Sequence, residues 1–529
     1  MYYVLGTALA EGRGFRLLNE PGEIEGTQYP PLFPLIIAGH EMIAGTDDPT
    51  VVGRWLRLSS FLASLGFALG SYALLRRYLP GNWALVAAAT CALHPSTVWL
   101  SDIDFADVPY ALATLAFFLW WRPGGMAIRR DVIAGVLAVA AYLLRTAGVA
   151  LLFAWVADSV LRRDVKRTAL RAAIALLAVG GWQARIAAVE REPSYSHPAY
   201  PYQRAAYLFY NVSYARNSFL RDVERPHLGK LSGRELSRRF VQNLVALPAR
   251  LGQTVSAPKE NWDQPVQAFG RVPGVGRLVP KHILRRIRDL VLLLLGALVI
   301  GGLVWHGIGH DRLMPLYIAA YMSLLCLTPP AWESARYLMP ITPFLVLAAW
   351  ECVLVIRGWL EARSRPAFGR LVRLMPGVCA ALLIAFQLVC LTDLFRNRYR
   401  PVGYQTRSGT VVTYRLFFYR DVYQSLDAGL DWLRREARPT DIIGASMPHW
   451  VYLRTGLKAV MPPFELDPSR AQALLDSVPI RYLIVDGRTD SFTRRFGLPA
   501  VRAAPERWQL AYGSAGGDLQ IYRRVPPLR

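Results

Sequence analysis

Three carboxylates crowd into six residues at Asp102, Asp104 and Asp107, in Ser101-Asp102-Ile103-Asp104-Phe105-Ala106-Asp107 between two apolar runs. Carboxylates at that density suit a divalent cation, or orient and deprotonate an acceptor hydroxyl. They equally suit a plain acidic loop outside a membrane, and the spacing leaves both readings open. Asp107, followed by Val108-Pro109 at a helix start, is the best single candidate. A helix N-terminus favours a carboxylate there by ~0.3–1 kcal/mol without any catalysis. Arg145 stands alone in Leu143-Leu144-Arg145-Thr146-Ala147-Gly148. A cation between two apolar runs needs an anionic partner, a protein carboxylate or a lipid phosphate. Glu333, Arg336 and Tyr337 sit at the mouth of a further apolar run, where Arg336 pairs bidentately with a phosphate or with Glu333 one turn away. His94, before Pro95 in an apolar run, reads as a satisfied core histidine. The chain has no Walker loop, no His-Glu-x-x-His and no nucleophile elbow.

The elements that must position these residues are membrane helices. Of 529 residues 53% are apolar and 19% charged, too little charge for a soluble surface of this size. Ten runs have about the length that crosses a ~30 Å hydrocarbon core; they fall near 53–75, 82–101, 105–121, 131–145, 146–161, 169–187, 289–307, 313–328, 338–356 and 374–394. Arginines gather in alternate loops (Arg76-Arg77, Arg129-Arg130, Arg162-Arg163, Arg357 to Arg373), and the acidic mouths at Asp102–Asp107 and Glu333 lie in the opposite set. The positive-inside rule makes the arginine loops cytoplasmic. The expected organisation is a first extracytoplasmic loop at 1–52, six spans in 53–187, a long extracytoplasmic loop at 188–288, four spans in 289–394 and an extracytoplasmic α/β domain at 395–529. Both ends then lie outside, and residues 1–28 do not read as a signal peptide, so a further helix before Met1 is expected.

The net charge of +23 does not indicate nucleic acid. Only five of the 61 basic residues are Lys, and the arginines sit in loops beside apolar spans, where the membrane explains them. The five cysteines lie in or at the edges of apolar runs, which excludes a disulfide framework and a cysteine zinc site. In the long loop, Ser232-Gly233-Arg234-Glu235 is a capping box opening an amphipathic helix, suited either to the bilayer surface or to the surface of a folded loop. Asn211-Val212-Ser213 is a single match to a glycosylation sequon. The last segment alternates as an α/β domain: helix 421–436, strand 441–446, helix 449–455, strand 457–461, a helix capped by Asp467, strand 481–486 and a hairpin of 508–512 with 518–523.

The order Leu9-Ala10-Glu11-Gly12-Arg13-Gly14-Phe15, then Tyr29-Pro30-Pro31-Leu32-Phe33-Pro34-Leu35, Asp107-Val108-Pro109, Arg145 with Gly148, and Arg336-Tyr337 with Pro340 and Pro343 resembles the bacterial GT-C membrane glycosyltransferases. These are the relatives of protein mannosyltransferases, aminoarabinose transferases and rhizobial lipopolysaccharide sugar transferases. The resemblance covers most of the chain. It implies a polytopic α-helical GT-C fold in a bacterial inner membrane, and a polyprenyl-phosphate sugar donor. Transfer is to a lipid, glycan or protein acceptor at the outer face. It also implies a catalytic Asp just before the tyrosines matched by Tyr2 and Tyr3, upstream of Met1, so the activity of the chain as it stands is in question. Asp107, with Asp104 and Asp102, would support that base or hold a divalent cation through Asp104 and Asp107. Arg336, Tyr337, Arg145, Glu333 and Tyr29 would bind substrate. An O-antigen ligase or polymerase, a transporter and a non-catalytic binding protein are the alternatives.

Overall fold

The computed structural model describes residues 1–103, 105–122, 128–198, 200, 211–223, 225, 228–269, 281–329, 334–363, 365–417 and 419–525. They form two compact units, each drawn from distant stretches of chain: Met1–Trp55, Trp182–Ser232 and Arg398–Arg529 in one, Leu56–Gly181 and Gly233–Asn397 in the other.

The second unit is helical, and the stretches expected as spans are helical over most of their length, some of them short or broken. Among the described residues, five helices are long and apolar enough to cross a membrane: Pro49–Leu75, Val165–Arg191, Lys281–Gly309, Arg336–Arg363 and Gly369–Arg398. Leu62, Leu69, Leu176, Leu177, Leu294 and Val389 are each more than half exposed, which acyl chains accommodate and water does not. The chain is an integral membrane protein. Other spans are shorter or broken. Asp107–Trp120 has 14 residues, roughly 21 Å at 1.5 Å per residue. The span expected at 82–101 is two helices, Gly81–Ala92 and Pro95–Leu100, because Pro95 pushes His94 into extended backbone. The imidazole of His94 is satisfied there: Nδ1 accepts from the Ser96 amide at 3.2 Å and Nε2 faces the Gln253 carbonyl at 3.2 Å.

Glycine sets how closely these helices cross. A Cβ at Gly252 would lie 2.0 Å from the Leu292 carbonyl oxygen, one at Gly296 1.9 Å from that of Pro248, and one at Gly302 1.7 Å from that of Ala348. The amphipathic helix Gly233–Val255 therefore packs backbone to backbone on Lys281–Gly309, which packs in the same way on Thr342–Arg363. Small residues permit such approach in membranes, where packing replaces the hydrophobic effect between helices. The expected loop 188–288 is thereby divided: residues through Ser232 belong to the first unit, and the helix from Gly233 belongs to the bundle.

In the first unit a five-stranded sheet runs in the order β4-β3-β5-β7-β6, with β3 Ile442–Gly444, β4 Ala459–Val460, β5 Ile480–Asp486, β6 Trp508–Gly513 and β7 Leu519–Arg524. β3 pairs in parallel with β4 and β5, and β7 is antiparallel to β5 and β6. Strand β5 is buried almost throughout because both its faces are covered. Leu426, Leu430 and Leu433 of helix Asp421–Glu436 pack on Ile443, Ile484 and Ile521, and Ala471 and Leu475 of helix Pro468–Asp476 pack on Ile442 and Leu483. A hairpin of β1 Arg400–Gln405 and β2 Val411–Leu416 precedes the sheet and was not foreseen. Near the N-terminus, the Ala459 amide donates to Asn19 O at 2.7 Å and Lys458 Nζ reaches Glu23 at 2.7 Å, so this segment covers the β4 edge. The sequon asparagine is structural: buried Asn211 accepts from the Thr27 amide at 2.9 Å and donates to Glu25 O at 3.0 Å, leaving no room for a glycan.

Glu41, on the short helix Leu32–Ala44, is 3% exposed and accepts a hydrogen bond from Thr7 Oγ1 at 2.8 Å. Burial, aided by nearby Asp47, pushes its carboxyl from 4.5 up to about 7. Between those values the unfolded chain releases a proton that the folded chain keeps, so stability falls as pH rises through the window and levels off above it. In detergent, the melting temperature should fall between about pH 5 and pH 8. E41Q should flatten that slope and melt above the parent at the alkaline end.

Candidate active site

Asp107 opens the helix Asp107–Trp120 and is 1% exposed. Its N-cap residue Ala106 offers no side-chain oxygen, so the carboxylate itself is the anion at that helix end. Arg145 ends the helix Ile128–Leu144 and takes extended backbone (φ −146°, ψ 134°). The Gly148 amide returns to Arg145 O at 2.8 Å, folding the turn over the helix. A Cβ at Gly148 would lie 2.5 Å from the Tyr142 backbone nitrogen, so glycine is required for that fold. Arg145 Nη1 donates to Asp107 Oδ1, and Arg336 Nε donates to Asp107 Oδ2 at 3.3 Å. One buried carboxylate is thus held by two guanidiniums whose side chains are 12% and 16% exposed.

Aromatic rings frame the three. The Arg336 guanidinium carbon lies 3.7 Å from the Phe105 ring centre and 5.8 Å from that of Tyr337, and the Arg145 carbon lies 5.3 Å from Tyr337. Such stacking fixes a planar guanidinium without neutralising it. Tyr321 Oη donates to the Tyr337 carbonyl at 2.5 Å, and the Tyr110 and Tyr317 hydroxyls meet at 2.9 Å in the core behind Asp107. Beside Tyr337 a pocket is lined by Leu247, Arg250, Leu325, Cys326, Thr328 and Leu338. Arg250 donates there to Asn243 Oδ1 at 3.4 Å, and Asn243 Nδ2 donates to the Cys326 and Thr328 carbonyls.

Of the candidates read from the sequence, the structure brings together Asp107, Arg145, Arg336 and Tyr337. Asp102 lies in the same loop but pairs with Arg57. Tyr29 belongs to the other unit, its ring 4.5 Å from Tyr2 and 5.9 Å from Tyr214. Asp104 and Glu333 lie outside the described residues. Both Asp107 oxygens face arginines, so service as a metal ligand would require it to release one of them. Sequence reading passed over Arg250, which looks like any arginine of an amphipathic helix. It also passed over His306, His310 and Glu351, although a glutamate inside an apolar span is a signal in itself.

No family model matches the sequence, and no curated protein matches it. Among solved structures, the oligosaccharyltransferase of Archaeoglobus fulgidus in the apo form superposes with a TM-score of 0.51 at 13% identity, covering 99% of this chain and 70% of that one. The same enzyme, AglB, in complex with an inhibitory peptide and a dolichol-phosphate gives 0.50 at 13%, over 99% and 70%. ArnT from Cupriavidus metallidurans bound to undecaprenyl phosphate gives 0.41 at 11%, over 99% and 93%. AglB is a GT-C membrane glycosyltransferase, and at this identity the likeness to it is one of fold. The chain has a GT-C fold. The GT-C architecture accounts for a helical membrane unit together with a small C-terminal sheet.

Proposed function

We propose that this GT-C protein transfers a sugar from a polyprenyl-phosphate donor to a lipid, glycan or protein acceptor at the outer face of a bacterial inner membrane, its C-terminal sheet on that same side. The observation that carries the reading is Asp107 held between Arg145 and Arg336. Two guanidiniums there already grip one anion between them. A phosphate is an anion that a pair of guanidiniums holds in the same way. Dolichol-phosphate in the AglB complex is a ligand of that chemical kind.

In the proposed step the acceptor heteroatom attacks the anomeric carbon, and the bond from that carbon to the phosphate oxygen breaks. Its electron pair stays on the phosphate, where Arg336 and Arg145 stabilise the developing charge. The acceptor proton passes to a carboxylate. The family resemblance gives that role to an outer-loop aspartate, with Asp107 in support. The arginine-rich loops on the opposite side favour an outward-facing site under the positive-inside rule.

The test compares binding of a polyprenyl phosphate and the matching polyprenol to the full chain in nanodiscs. The phosphate should bind about tenfold or more tightly, the value of one charge-assisted hydrogen-bond pair. Equal binding of the alcohol would sink the donor assignment. Incubation with a labelled polyprenyl-phosphate sugar and a membrane extract then reads transfer directly.

A further inference from the structure

A second cluster of buried ionisable groups lies away from Asp107. His306 is in the last turn of Lys281–Gly309, and His310 follows four residues on, with its amide still bonded to the His306 carbonyl at 2.9 Å. That spacing sets both imidazoles on one face. Glu351 reaches them from the neighbouring helix Thr342–Arg363: its carboxylate lies 3.0 Å from His306 Nδ1 and 3.5 Å from His310 Nε2. One donor atom from each of the three falls within 4.8 Å of the others. Two neighbouring ligands of a tetrahedral zinc ion with bonds of about 2.1 Å stand roughly 3.4 Å apart. Both glutamate–histidine distances are already near that value.

The surroundings of His306 decide what the cluster is for. Its Nε2 lies 3.3 Å from Asp311 Oδ2. Asp311 is fixed by the Leu313 and Met314 amides on Oδ1, at 3.0 and 3.2 Å, and by the Tyr78 hydroxyl on Oδ2 at 3.1 Å. An imidazole that gives its Nε2 proton to Asp311 turns a lone pair from Nδ1 toward Glu351. A carboxylate facing that lone pair in a buried site is held by whatever cation lies between them, a proton or a metal ion. Carboxylate, imidazole and metal in that sequence is the usual outer support of a zinc ligand. Glu351 and Asp311 side chains are 5% and 3% exposed, and a divalent cation there would offset both carboxylates. Of the arginines beside these residues in sequence, Arg312, which follows Asp311, is exposed, and Arg77, which precedes Tyr78, is turned to the Phe118 and Leu119 carbonyls. His310, with 42% of its side chain exposed, leaves a route for the ion and a place for water as fourth ligand.

We infer that His306, His310 and Glu351 form a binding site for a zinc-type divalent cation, with Asp311 and Tyr78 as its supporting shell. It is separate from the site at Asp107. Arg77, next to Tyr78, caps the far end of the helix that Asp107 opens, so the length of that 14-residue helix, roughly 21 Å, lies between them. The metal would tie the end of Lys281–Gly309 to Thr342–Arg363 and to the start of Leu313–Leu327, a structural clamp on the bundle.

The experiment uses the full chain in detergent, carried on a tag without histidine, stripped with a chelator and reloaded with zinc alone in competition with a metal-binding dye. One zinc per chain is expected, together with a cobalt form whose visible spectrum is that of a four-coordinate ion. H310A should weaken zinc binding about tenfold or more, and H310C should restore it. His310 is chosen because its exposure lets the variant fold, which the melting profile of the stripped proteins verifies. Zinc should raise the melting temperature of the parent and not that of H310A. No zinc uptake by the parent, or equal uptake by a folded H310A, would overturn the site and leave His306 as a protonated imidazole clamped by two carboxylates.

Discussion

Replacing Arg336 with alanine is expected to weaken polyprenyl-phosphate binding about tenfold or more and to lower sugar transfer about a hundredfold. The two effects differ because the leaving phosphate gains charge as the sugar departs, so a lost guanidinium is missed more in the transition state than in the ground state. R336K should recover only part of the binding, since an ammonium offers no planar fork and stacks less well on Phe105. D107N separates this role from a merely structural one. Asp107 and a phosphate compete for the same two guanidiniums, so the amide should leave phosphate binding as tight or tighter while transfer falls. Titration of a fluorescent polyprenyl phosphate against the three variants, with transfer measured on the same samples, gives both readings. Loss of phosphate binding in D107N as severe as in R336A would assign Asp107 to holding the arginines in place and nothing more.

The largest effect on stability is expected at Gly302. A Cβ there meets the Ala348 carbonyl oxygen at 1.7 Å, and a backbone atom in the middle of a helix cannot step aside. G302V must force Lys281–Gly309 and Thr342–Arg363 apart, at more than the ~1–3 kcal/mol typical of overpacking a core. The neighbouring Gly301 is the control, because its Cβ would meet only Cys352 Sγ at 3.2 Å, the movable end of a side chain. Thermal melts in detergent should place G301A within a few degrees of the parent. G302V should melt far lower or fail to give a monodisperse peak. His306 lies one turn beyond Gly302 and Glu351 about one turn beyond Ala348, so any folded G302V should also lose zinc affinity. A G302V protein as stable as G301A would mean that the two helices do not cross this closely.

Much of the molecule is legible in the chain because its signals are local. Apolar runs long enough for a bilayer identify the spans, and alternation of apolar residues identifies the strands of the C-terminal sheet. Asp467 announces its helix and does cap it, accepting from the Arg470 amide at 2.8 Å. Asp107, Arg145 and Arg336 stand out one at a time, since a charge at the end of an apolar run is expensive unless it is used. The break at His94 is missed because hydropathy counts apolar residues and not backbone donors, and Pro95 removes one.

What the sequence cannot supply is which distant groups meet. Arg145 and Arg336 lie 38 and 229 residues from Asp107, and no period or propensity carries that information. Arg336 is read from sequence as a partner of a phosphate or of Glu333, which lies outside the described residues; the fold also sets it against Asp107. Gly252, Gly296 and Gly302 look like the many other glycines of the chain until a neighbouring carbonyl is set against them. His306, His310 and Glu351 become a site only when two helices cross closely enough to bring a glutamate to a pair of histidines. The sequence determined the helices, the strands and the charges at their ends, because those follow from each residue and its near neighbours. The tertiary structure alone decided the partners, because packing of remote segments sets the distances over which charge and coordination act.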